Sequence, residues 1–136
     1  MFGRVGENEE IARRGLDALA RQSFEEAQRL CTEDVELWTL FDQPGTKPEF
    51  SGRDGLRHWF DRLAELWAFI DVREVEVSER AGGWVMMRVV ARVRGRGSPH
   101  DFEPRVSVAM QIADRKIAKF GLFPNQAGAE AMFDAG

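Results

Sequence analysis

The 136-residue sequence has no tyrosine, one cysteine and two histidines, and each scarcity closes off a class of chemistry. Without a phenol, no mechanism can use tyrosine as an acid or as an oxyanion donor. A single thiol, Cys31, can form neither an internal disulfide nor a multi-thiolate zinc site, and His58 and His100 are too few and too far apart for a histidine-rich metal cluster. No cofactor or metal is therefore expected. Apolar runs stop well short of the roughly 20 residues that cross a bilayer. The N-terminal stretch turns acidic at Glu7, Glu9 and Glu10 without the apolar segment of a secretory signal. A cytoplasmic protein is the expectation, and a free thiol is compatible with that compartment. An excess of positive charge is missing too: 19 Lys and Arg stand against 23 Asp and Glu. With no global basic field, nucleic acid is not an expected partner, and neither is a membrane.

What the chain does have is 43% hydrophobic residues, enough for one self-sufficient core, so a single domain over residues 1–136 is expected. Ile11, Ala12, Gly15, Leu16, Leu19 and Ala20 recur at helical spacing and predict an amphipathic helix over about 8–21. Ser23-Phe24-Glu25-Glu26 reads as a capping box opening a second helix. Val35 to Phe41 is rich in β-formers, with Val35, Leu37, Thr39 and Phe41 on one face and Glu36, Trp38 and Leu40 on the other. After a Pro- and Gly-rich loop, a third helix opens near Ser51, with Leu56, Trp59, Phe60, Leu63 and Trp67 on its apolar face. The period then drops to two. Strands are predicted over 70–80, 84–94, about 101–113 and 116–123, and beyond Pro124 the residues Ala129, Met132 and Phe133 suggest a short closing helix. Helices followed by antiparallel strands make an α+β fold.

Six elements in this order carry a resemblance: Asn8-Glu9-Glu10-Ile11, Ser23-Phe24-Glu25-Glu26, Glu33 to Trp38, Phe50 to Leu56 before Trp59-Phe60, Arg94-Gly95-Arg96-Gly97 and Arg115-Lys116-Ile117. Together they resemble the SnoaL-like branch of the nuclear-transport-factor-2-like superfamily, over residues 8 to about 134. The resemblance implies a cone-shaped α+β fold, with three N-terminal helices packed in a strongly curved antiparallel sheet and a central apolar pocket. It implies homodimers through the sheet's outer face. Relatives include polyketide cyclases, limonene-epoxide hydrolase, ketosteroid isomerase and scytalone dehydratase, as well as proteins that catalyse nothing. Function must therefore be argued from the site.

Trp38, Phe41, Trp59, Phe60, Trp67, Phe102 and Phe123, with Met110, are the candidate lining of such a pocket, and they point to an apolar small molecule as the ligand. The acid–base candidates are carboxylates. Asp42 follows the first strand and is the preferred general base, while Asp101 and Glu103 lie two apart on a predicted strand. Arg105 is a candidate polarising group, of the kind that bridges two carboxylates in the superfamily's epoxide hydrolases. By alternation, however, it shares a face with Ser107 and Gln111, opposite Val106, Val108 and Met110. Asn125 could orient a substrate or a water but cannot take a proton. The arginine run Arg88, Arg92, Arg94 and Arg96 is expected to pair across strands with Asp71, Glu74, Glu76 and Glu79 rather than to bind phosphate. The reading is a small-molecule protein, with isomerase, cyclase or hydrolase chemistry as its catalytic form. A ligand carrier or sensor and a protein-interaction module are the alternatives.

Overall fold

The computed structural model describes residues 6–39, 48–124, 127, 129 and 130. The first helix, α1, runs Glu7–Ala20 and buries Ile11, Ala12, Gly15, Leu16 and Leu19 as its spacing predicts, with Ala18 buried as well and Ala20 only half-buried. Helix α2, Phe24–Leu30, opens on Ser23, whose Oγ accepts from the Glu26 amide at 3.4 Å. Glu26 does not close the reciprocal half of the box. Its carboxylate goes to Arg14 and Arg29 instead. Helix α3, Gly52–Leu66, buries Leu56, Trp59, Phe60 and Leu63, while Arg53, Asp54, Arg57, His58, Asp61, Arg62 and Glu65 all face solvent. Its C-terminal carbonyls, which a helix leaves unpaired, are met from outside: Arg96 donates its backbone N–H to Leu66 O and its guanidinium to Ala64 O.

The strands are β1 (Cys31–Trp38), β2 (Phe50–Ser51), β3 (Trp67–Arg80), β4 (Trp84–Gly95), β5 (Asp101–Phe102), β6 (Arg105–Ala113) and β7 (Lys116–Phe123). They form one curved sheet in the order β2-β1-β7-β6-β4-β3, with β5 added to β4. All its pairings are antiparallel except β1 with β7, which run parallel. The single strand expected over 101–113 is two. Pro104 has no N–H to give a ladder, so β5 and β6 separate there, although its carbonyl still accepts from Ala91 N at 3.2 Å. In β7 an extra residue at Ala118 shifts the register, so that Ile117 and Phe120, three apart, both face the helices.

The helices cover the concave face of the sheet. Val85, Met87, Val89, Ala91 and Val93 of β4 meet Val108, Met110 and Ile112 of β6 there. Gly15 brings α1 unusually close: a Cβ at that position would fall well under 3.0 Å from the Ile117 side chain and 3.4 Å from Met110 Cε. A second apolar cluster lies on the opposite face, where Trp38, Trp84, Met86, Ala109 and Phe123 pack with Ala129 of the closing helical segment. Met132 and Phe133, also expected in that segment, lie outside the described residues.

Candidate functional site

Alternation along each strand decides which candidates can meet. On the concave side Trp59 lies against Phe60, with ring centroids 6.0 Å apart, and against Phe120 at 5.1 Å. Phe60 in turn meets Phe24 edge-on at 6.2 Å. Both the Trp59–Phe120 and the Trp59–Phe60 pairs are edge-to-face, the arrangement that aromatic quadrupoles favour. Phe120 is the register partner of Leu37 in β1, so the aromatic column joins α3 to the sheet through β7. Met110 is fully buried on the same side, beneath Gly15. Trp59, Phe60 and Met110 are thus three of the expected lining residues that share one interior.

The others are placed differently. Trp67 caps the end of α3, half-buried, and leans on Phe102, which is 50% exposed, at 5.8 Å. Trp38 and Phe123 point to the far side of the sheet and are absorbed by the second cluster, so neither contributes to the concave wall. Their strands supply other residues to that wall, Leu37 and Leu122. Arg105 keeps to the outer face, exposed and opposite Val90. The break at Pro104 does not turn it inward. Phe41, Asp42 and Asn125 lie outside the described residues.

The carboxylates of the fourth predicted strand do not form an acid–base pair. Asp101 takes the guanidinium of Arg92 on Oδ2 at 2.8 and 3.0 Å and Arg94 Nε on Oδ1 at 2.6 Å. The hydrogen bond from Arg94, reinforced by that from Arg92, holds its carboxyl below the usual aspartate range despite some burial. A carboxylate so held is a poor proton carrier and a good clasp between β4 and β5. Arg92 and Arg94 therefore find their charge partner on β5 rather than on β3, while Arg88 pairs with Glu76 of β3 at 3.3 Å as alternation predicts. Glu103, His58 and His100 are exposed. Burial pushes the Cys31 thiol up to about 12, with the charge of Lys116 opposing only in part, so it is an inert core group.

Three buried polar groups lack a hydrogen-bond partner among the described residues: Thr32 Oγ1, Glu49 Oε1 and Trp59 Nε1. Glu49, which composition and spacing did not single out, gives its other oxygen to Arg62 of α3 and its amide to Leu37 O. Two open clefts flank the core. One, of about 350 Å3 between α1 and β3, has Leu16, Ala20, Ile70 and Val75 in its wall and Arg13 and Asp71 at its rim. The other, of about 530 Å3, is polar and lies among Glu33, Glu36, Ser51 and Lys119. Among the described residues no group of His, Cys, Asp and Glu is arranged to hold a metal ion, and no helix is long and apolar enough to cross a membrane.

Comparison with known proteins adds a family to this geometry. The sequence model of the SnoaL-like domain matches residues 12–120. No functionally curated protein matches the sequence. Among solved structures, an NTF2-like protein from Burkholderia xenovorans superposes with a TM-score of 0.69 at 19% identity, over 95% of each chain. A candidate polyketide cyclase from Xanthomonas campestris gives 0.71 at 14% identity, over 96% of this chain and 97% of its own. An epoxide hydrolase resembling limonene-epoxide hydrolase, from Mycobacterium tuberculosis, gives 0.66 at 15%, over 95% of this chain and 88% of its own. At such identities the likeness is one of fold.

Proposed function

The chain belongs to the SnoaL-like domain family, and from that premise we propose that it is a single-domain protein that binds an apolar small molecule on the concave side of its sheet. The observation that carries this reading is the aromatic column Trp59–Phe60–Phe120, set between α3 and β7 in an interior whose other walls are mostly aliphatic or methionine, with Phe24 beside Phe60. Such a surface offers a ring compound dispersion contacts and little that would bind a strongly charged one. The fold neighbours that carry a cyclase or hydrolase name favour the same class of ligand.

Acid–base turnover is the catalytic form of the proposal, and Asp42 is its base. Asp101 is committed to two arginines, and Arg105 lies on the opposite face. Asn125 would orient a substrate or a water. The protein is proposed to act in the cytoplasm, without a cofactor, as a homodimer joined through the outer face of the sheet. A thermal-shift screen against cyclic ketones, terpenoids and polycyclic phenols tests the reading, because a ligand that binds only the folded state raises Tm with concentration. Stabilisation that saturates with ligand is expected. A flat response across all three classes refutes it, and in a responding protein an Asp42→Asn variant that binds without turnover separates catalysis from carriage.

A further inference from the structure

We infer that the indole N–H of Trp59 donates a hydrogen bond to a neutral oxygen acceptor on the ligand, so that the site selects ketones, lactones, epoxides or ethers over hydrocarbons of the same shape. The inference rests on the small-molecule reading above and narrows its ligand class. Trp59 is fully buried, yet its Nε1–H has no acceptor among the described residues. Burying an N–H without a partner costs roughly as much as a lost hydrogen bond, and tryptophans sealed in cores almost always place that proton on an acceptor. The ring itself is fixed by Phe60 and Phe120, so the donor cannot swing out to reach water without dismantling both contacts.

The surroundings set the chemistry of the acceptor. The cluster that holds Trp59 is apolar, and every ionisable residue of α3 faces solvent. A carboxylate or phosphate brought to this N–H would be stripped of water with no charged side chain of α3 turned inward to meet it, a penalty far larger than one hydrogen bond returns. A neutral carbonyl or ether oxygen loses little on entry and supplies what the indole lacks. The alternative, that the N–H is spent on the face of Phe120, is a weaker interaction of the kind that leaves a donor still available.

The test uses α-tetralone and its hydrocarbon match tetralin, with the full-length protein labelled with nitrogen-15. Trp59→Phe identifies the Trp59 indole resonance by its disappearance. In the parent protein, tetralone should move that resonance downfield while tetralin leaves it nearly in place. Trp59→Phe removes packing that both compounds use, so it should weaken both, but tetralone about tenfold more than tetralin, the scale of one hydrogen bond in a dry site. If both compounds bind and the indole resonance does not distinguish them, the inference is overturned while the small-molecule reading stands. If neither perturbs any interior resonance, both the inference and the pocket reading fall. If the variant folds poorly, single substitutions of the other three tryptophans assign the Trp59 resonance by elimination, and the shift is still read on the parent protein.

Discussion

The turn between β3 and β4 offers a stringent test of how closely this fold is fitted together. Gly82 and Gly83 are neighbours, both left-handed, with φ of 81° and 80°. At Gly82 a Cβ would meet only the edge of Trp84, at 3.6 Å. At Gly83 it would fall well under 3.0 Å from the Ile112 carbonyl oxygen, a backbone atom that cannot rotate away. Alanine at either position incurs the left-handed penalty of about 1–2 kcal/mol. At Gly83 it also forces β6 and the turn apart, adding roughly 1–3 kcal/mol as overpacking does in cores. For a chain of this size a kcal/mol moves Tm by roughly 3 °C. Gly82→Ala should therefore lower Tm by roughly 3–6 °C and Gly83→Ala by roughly 6–15 °C. Parallel calorimetric melts of the parent and both variants measure the difference. Equal shifts for the two would show that β6 does not press on the turn, and the account of the β3–β4–β6 junction would fail.

Other expectations follow from single groups. With its pKa pushed from 9.0 to about 12, native Cys31 should react with a disulfide reagent at least about thirtyfold more slowly than an exposed thiol, the loss of thiolate being offset in part by its greater nucleophilicity, and guanidinium should abolish the difference; fast labelling of the folded protein would contradict the burial. Asp101→Asn should lower Tm at neutral pH. Because the Arg94 hydrogen bond depresses the folded pKa, that loss should be full above the unfolded value near 3.8 and should fade as pH falls through the lower folded value. Melts of the pair from about pH 7 to about pH 3 would refute this by showing a constant gap.

Much of the architecture was legible because local signals and tertiary demand agree. The stripes of α1 and α3, the Ser23 cap and the alternation of β4 from Arg88 onward all read directly. Departures arose where a second requirement overrode the period. Trp84-Val85-Met86-Met87 is buried without alternation because that end of β4 has apolar cover on both faces, the helices on one and the second cluster on the other. Phe120 was hidden as a wall residue by the register shift at Ala118, which no residue type announces. Trp38 and Phe123 carry pocket-like side chains, but the face they occupy depends on strand order and on the closing helical segment, neither of which composition encodes. The partner of Arg92 and Arg94 was missed for a related reason: β5 exists as a separate strand only because Pro104 breaks the ladder.

The second cluster bears on how a copy of this chain could dock on the outer face. Trp38, Trp84, Met86 and Phe123, the side chains that would make such contact adhesive, are already spoken for. What stays exposed along the middle of β4 and β6 is Arg88, Arg92 and Arg105, with half-buried Val90 among them, edged by Glu76 and Asp71 of β3. Recognition on that half is written in charge rather than in oil, and charges this exposed lose their hold within about 10 Å at moderate ionic strength. Salt concentration, more than temperature, is the dial that would set whether two copies stay together.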